Sequence, residues 1–191
     1  MEKLWKIIRK YMLLELAVLL FVFALDQCIK DWAVANIIEG HTQDFIPHIL
    51  SLTLYYNTGA AFSILEGQMT FFYIITGVAI VLYAGAIFFF RGKSILFSIA
   101  ISMMFGGTLG NFYDRVFIEK GVRDMFQTEF IDFAIFNIAD AALTVGVILF
   151  AIYVLFVYKS PPPKVKKDET AGDAAAEGGE GSAEQETNTK A

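Results

Sequence analysis

The 191 residues are 56% hydrophobic and 15% aromatic against only 18% charged, a balance too apolar for an ordinary soluble domain. The formal net charge of -5 belongs to one end: residues 168–191 hold seven acids and one lysine, so the rest of the chain is close to neutral and gives no reason to expect nucleic acid as a partner. Cys28 is the only cysteine, which excludes an internal disulfide and a multi-cysteine metal centre and makes a small core residue the simplest reading.

Residues 11–29 form the first candidate span, close to the roughly 20 apolar residues that cross a hydrocarbon core. A basic start, an apolar run and Cys28 imitate a signal peptide. Asp26 and Gln27 stand where a cleavage site needs small residues, however, so the segment is read as retained. Glu15, one turn inside, is expected to snorkel to the interface, and Asp26 with Lys30, four apart on one helix face, to pair at the membrane boundary. Residues 31–68 then leave the membrane, and the alternation in SLTLYYN (51–57) predicts a small β element lying on its surface.

Residues 69–90 and 94–112 are free of charge and read as spanning helices joined in a tight hairpin by RGK (91–93). Residues 114–136 form a loop on the opposite side, and residues 137–158 the fourth span, with Asp140 as its only charge. The fold expected is an all-α membrane protein: four transmembrane helices with a small extracytoplasmic β element between helices 1 and 2. Lys3, Lys6, Arg9 and Lys10, then Arg91 and Lys93, then Lys159, Lys164, Lys166 and Lys167 all fall on one side, which makes the N-terminus, the short loop and the C-terminus cytoplasmic. Residues 1–160 form the membrane domain. Pro161 to Pro163 stop the last helix, and residues 161–191 are too polar to build a core, so an acidic, disordered cytoplasmic tail is expected.

Chemistry concentrates between residues 106 and 146. An ionisable side chain in or beside a span costs about 2.5 to 3.5 kcal/mol on insertion scales and is a functional-site hypothesis by default. Asp114 closes one apolar run, Asp140 opens the next, and Asp124 and Asp132 lie between. Gly106 and Gly110 form G-x-x-x-G, most simply a close-packing device that brings Asn111, Asp114 and Arg115 against a neighbouring helix. Asn137 and Asp140, three apart, share the entrance of the fourth helix. If Asp124 folds back over Asp140, the two carboxylates hold one proton between them, the arrangement that attacks an amide with water. Ser63 and Ser94 lack a histidine partner, His41 and His48 sit in an exposed loop, no phosphate loop follows GGTLG, and no histidine accompanies the acids as a metal ligand. A non-enzymatic scaffold or proton-conducting subunit is the alternative. A proton path would need ionisable groups at several depths, and here they gather at one face.

Five blocks taken together resemble the lipoprotein signal peptidase (signal peptidase II) family: DQCIK (26–30), YNTGAAFSIL (56–65), GGTLGNFYDRV (106–116), GVRDMF (121–126) and FNIADAALTVG (136–146). The resemblance implies an intramembrane aspartyl protease of the bacterial cytoplasmic membrane, with its site at the outer face. It would remove the signal peptide from diacylglyceryl-modified prolipoproteins, cutting before the lipidated Cys, as a monomer in contact with membrane lipid and without cofactor or metal. By the same resemblance Asp124 and Asp140 are the catalytic pair. Asp26, Asn57, Asn111, Arg115 and Asn137 support them or bind substrate, and Asp114 and Lys30 are structural. One departure stands out: Arg123 precedes Asp124 where many members carry an apolar residue, and a guanidinium there would favour the ionised carboxylate unless it turned away. Asp132 is therefore retained as a lesser candidate.

Reporters fused near Lys93 and after Lys159 are expected to read as cytoplasmic, and one near His41 as external. A cytoplasmic reading at His41 would break the span assignment.

Overall fold

The computed structural model describes residues 2–59, 67–90 and 94–158, the side chains of residues 2–9 and 90 excepted. The RGK loop, most of the basic clusters, residues 60–65 of the second block and the acidic tail lie outside them. The element order is α1 (Glu2–Asn36), β1 (Gln43–Ile46), β2 (Leu50–Asn57), α2 (Met69–Phe90), α3 (Ile95–Phe117), β3 (Val122–Thr128) and α4 (Ile138–Ile152), which ends in a π-helical turn, Tyr153–Val157. Among the described residues, four helical stretches are long and apolar enough to cross a membrane: Lys10–Asn36, Met69–Phe89, Ile95–Phe117 and Ile138–Val157.

α1 runs past residue 29, where the sequence suggested an exit, to Asn36. Asp26 and Lys30 form the expected pair, Nζ to Oδ2 at 2.8 Å, but both are fully buried and lie short of the helix end. The added turns carry Ala33 and lead into Ile37, and against these pack Leu52 and Leu54 of β2 and Met125 of β3. Burying each of the larger side chains stabilises the arrangement by about 1.5 to 3 kcal/mol, so the extension is what the sheet stands on. Glu15 likewise does not snorkel. It is 3% exposed and accepts a 2.8 Å hydrogen bond from Ser98 Oγ. Cys28 is exposed on the outward face of α1 rather than in the core.

α3 is the central helix. Ser98, Ser102, Gly106 and Gly110, four residues apart, are buried along one stripe. A Cβ on Gly106 would meet the Leu19 carbonyl and Val22 of α1 at 2.9 Å, and one on Gly110 would lie 2.5 Å from Asp26 Oδ2. Gly107 points instead at α4, where a Cβ would overlap the Ala139 carbonyl, and Gly146 of α4 returns the contact against Met104 and Ala100. Lipid offers no hydrophobic drive for helix association, so backbone approach through small residues is what holds α1, α3 and α4 together. α2 packs mainly on α3, and its Gly77 and Gly85 face open space.

The β element has three antiparallel strands in the order β1-β2-β3, two more than the single run that the alternation in residues 51–57 marks. β3 comes from the connection between α3 and α4, where the sequence suggests only a loop. Residues 122–125 are all buried, so the strand is covered on both faces and shows no polar alternation to read. Gly121 makes the turn into it at φ +105, and a Cβ there would lie 2.6 Å from the Asn57 carbonyl.

Gly107→Ala is expected to lower the thermal midpoint in detergent, since overpacking against backbone costs about 1 to 3 kcal/mol. Gly77→Ala, facing open space, should leave it unchanged or slightly raised. Equal midpoints for the two variants would remove the packing role assigned to the α3–α4 seam.

Candidate active site

Two tiers of polar side chains gather where the sheet-side ends of α1, α3 and α4 meet β3. The lower tier centres on Lys30 of α1, fully buried. Its ammonium donates to Asp26 Oδ2 at 2.8 Å, Asp114 Oδ2 at 3.2 Å and Asn111 Oδ1 at 3.1 Å, which uses the three donors it has. Asp26 Oδ1 accepts the Ala139 N–H at 2.9 Å, so a carboxylate on α1 satisfies a donor in the first turn of α4. Asp114 accepts from Arg123 three times: its backbone N–H at 3.0 Å, Nε at 3.2 Å and Nη2 at 2.8 Å. Arg123 also reaches Asp31 Oδ1 at 2.6 Å and Gln27 Oε1 at 2.9 Å.

Strand alternation resolves the question that Arg123 raises. Successive residues of a strand point to opposite faces. Arg123 and Met125 turn towards α1 and the lower tier, while Val122 and Asp124 turn towards a cleft of about 490 Å³. Burial opposes charge on Arg123, and its bonds to Asp114 and Asp31 outweigh that, so the guanidinium is held more firmly protonated than usual and its charge is spent away from the cleft.

The upper tier is made of two carboxylates and three amides. Asp124 receives Asn137 Nδ2 on Oδ1 at 2.6 Å and Asn57 Nδ2 on Oδ2 at 3.1 Å. Asp140 receives Asn111 Nδ2 on Oδ1 at 2.7 Å and the Asn137 backbone N–H on Oδ2 at 3.2 Å. The last contact is half of a capping box: Asn137 Oδ1 in turn accepts the Asp140 N–H at 3.0 Å, which fixes the start of α4. Asn137 Nδ2 also lies 3.0 Å from Asn111 Oδ1, joining the tiers. Burial pushes the Asp124 carboxyl from 3.8 up to about 7, the Asp140 charge adds to the rise, and the donors on Asn57 and Asn137 pull against it. Asp124 is therefore poised to carry a proton near neutral pH.

Asp124, Asp140, Asn57, Asn111 and Arg115 all line the cleft. Arg115 donates to the Gly59 carbonyl at 3.3 Å and the Asn111 carbonyl at 3.4 Å, and its guanidinium lies 4.7 Å from the Phe72 ring centre. Beyond the polar end the walls are mainly apolar, with Phe72, Ile75 and Ala79 from α2 and Leu143 from α4, interrupted by Thr76, Thr108 and Thr144. Asp132 is exposed and does not line the cleft, so the structure separates it from the pair it was set beside. Gln27 and Asp31 were missed. Their four-residue spacing on one face of α1 was the available signal, hidden by the assumption that the helix had already ended.

The chain matches the family described as Signal peptidase (SPase) II over residues 18–156. It is 45% identical over 148 residues to the lipoprotein signal peptidase of Latilactobacillus sakei subsp. sakei (strain 23K), which covers 78% of this chain and 97% of that protein. To the enzyme of the same description from Enterococcus faecalis (strain ATCC 700802 / V583) it is 47% identical over 136 residues, 71% of this chain and 84% of the relative. Among solved structures, a bacterial membrane enzyme determined by the in meso method at 2.3 Å resolution aligns with a TM-score of 0.69 and 40% identity, over 74% of this chain and 87% of that one. Family match, identity over most of both chains and shared fold agree: this chain belongs to the signal peptidase II family of bacterial membrane aspartic peptidases.

Proposed function

We propose that the chain cuts diacylglyceryl-modified prolipoproteins before the lipidated Cys and releases the signal peptide, with Asp124 and Asp140 as the reacting pair. The observation that carries this is the pair itself: two carboxylates on one cleft, each held at both oxygens by N–H donors. Asp140, ionised, takes a proton from water as the water oxygen attacks the scissile carbonyl. Asp124, protonated, gives its proton to the carbonyl oxygen as the tetrahedral intermediate forms. Collapse then sends a proton to the departing amine, and the dyad returns to its starting state. Asn57, Asn111 and Asn137 fix the carboxylates without adding charge that would ionise both. Arg115, on the cleft wall, supports the polar end, and Asp26, Asp114 and Lys30 hold the elements that carry the pair.

The apolar wall from Phe72 to Ala79, facing Leu143, suits the acyl chains and the apolar signal segment of such a substrate. The protein is a multi-pass bacterial membrane protein. Within that frame the termini are read as cytoplasmic, the cleft as opening at the outer face, the working unit as a monomer, and residues 161–191 as a separate tail appended to the peptidase domain of residues 1–160. The scaffold or proton-channel reading is not favoured, since the family is one of peptidases.

Asp124→Asn and Asp140→Asn should each lower kcat on a lipidated prolipoprotein by about a thousandfold or more while the protein still inserts. Asp132→Asn should stay near wild type, and full activity in Asp140→Asn would sink the aspartyl mechanism.

The pH dependence follows from the raised Asp124 carboxyl. A raised acid favours folding while protonated, so its contribution is complete below 3.8 and is lost as pH rises through about 7. Turnover needs the same protonated form and should fall along an alkaline limb near 7. Asn57→Ala removes a bond that favours the ionised form, so the variant's limb should move upward with the amount of folded protein unchanged. A downward move would contradict the assignment of Asp124 as the acid.

A further inference from the structure

We propose that Arg123 is a positioning residue for the reaction, a strut that sets where Asp124 stands by bracing β3 against α1 and α3 from the face opposite the cleft. The inference rests on the reading of Asp124 and Asp140 as the reacting pair.

The geometry supports a brace more than simple neutralisation. Lys30 already lies 3.2 Å from Asp114, so the buried Asp114 carboxylate has a cation without Arg123. What Arg123 adds is breadth. From one planar group it reaches Asp114 on α3 through Nε and Nη2, and Gln27 and Asp31 on α1 through Nη2 and Nη1. Its own main chain is held on both sides, with the N–H on Asp114 Oδ2 at 3.0 Å and the carbonyl receiving Asn137 Nδ2 at 3.3 Å. That same Asn137 nitrogen lies 2.6 Å from Asp124 Oδ1. Two helices, α1 and α3, and the amide that orients the dyad therefore converge on the residue one step before Asp124. In a pleated strand, fixing one side chain fixes the direction of the next. A lysine in its place offers a point charge on a flexible stem and cannot span the same partners at once.

Arg123 lies outside the cleft lining, so its loss should not weaken substrate binding. A misplacement of about 1 Å at a reacting group costs up to about a hundredfold in rate, and this sets the scale of the effect. The test measures kcat, KM and thermal midpoint for purified Arg123→Met, Arg123→Lys and Asp31→Asn on one diacylglyceryl-modified prolipoprotein, at a temperature where each is fully folded. Arg123→Met is expected to lower kcat by about thirtyfold with KM within about threefold, and Arg123→Lys to fall between it and wild type. Asp31 is 74% exposed and the buried Arg123 keeps Asp114 as its counter-charge, so Asp31→Asn leaves no unpaired charge and should keep its midpoint while losing about threefold in kcat. It decides the matter if Arg123→Met does not fold. Wild-type kcat in folded Arg123→Met, a rise in KM that matches the fall in rate, full rate in Arg123→Lys, or unchanged kcat in Asp31→Asn would each overturn the strut. Failure of the dyad reading is seen separately, as retained turnover in Asp124→Asn.

Discussion

A charge removed from water must find its partners in protein, and in this molecule the Lys30 ammonium imposes that condition on everything around it. Fully buried, it draws Asp26 from its own helix and Asp114 and Asn111 from α3 into one contact set. Losing one partner of a buried pair leaves an uncompensated charge worth about 3 to 5 kcal/mol, enough to couple the helices tightly. Gly110 has no side chain because the Asp26 carboxylate fills the space one would take. Asp26 then reaches α4 and Asp114 reaches β3, so the elements that bear the two cleft acids hang from the same cluster.

The two tiers differ in chemical kind, and the difference has a purpose. The lower tier pairs full charges, which makes it rigid and inert. The upper tier holds its carboxylates with amides, which orient an oxygen without cancelling its charge. Cations bonded directly to Asp124 in place of Asn57 and Asn137 would have favoured its ionised form. Asn111 mediates between the tiers: its carbonyl faces Lys30 and its nitrogen faces Asp140. Rigidity passes upward through it while most of the positive charge stays below.

Much of this was legible in the sequence, and the exceptions share a cause. The four spans, the glycine seam and the convergence of Asp124 with Asp140 follow from apolar run length, small-residue spacing and five ordered blocks. The end of α1, the position of Glu15 and the direction of Arg123 did not, because each depends on a charge being met by a residue distant in the chain. Asp26 and Lys30 read locally as a membrane boundary, whereas Asp114, 84 residues beyond Lys30, makes their burial possible. β3 escaped because a strand buried on both faces carries no alternating pattern, and the acid expected on a loop is held instead in a ladder, paired with Tyr55.

The unequal packing of the helices bears on how such a protein can change over time. Along α3 and α4 a single added methyl meets backbone, so those faces tolerate almost no variation. α2 supplies the apolar wall of the cleft, yet its glycines face open space and many of its large side chains, among them Ile74, Val81 and Leu82, are exposed. Those outward positions can be exchanged at little cost to folding, whereas Phe72, buried beneath the Arg115 guanidinium, is held by its packing. Sequence change in this fold therefore has one helix face on which to proceed, with the two cleft acids anchored on β3 and α4.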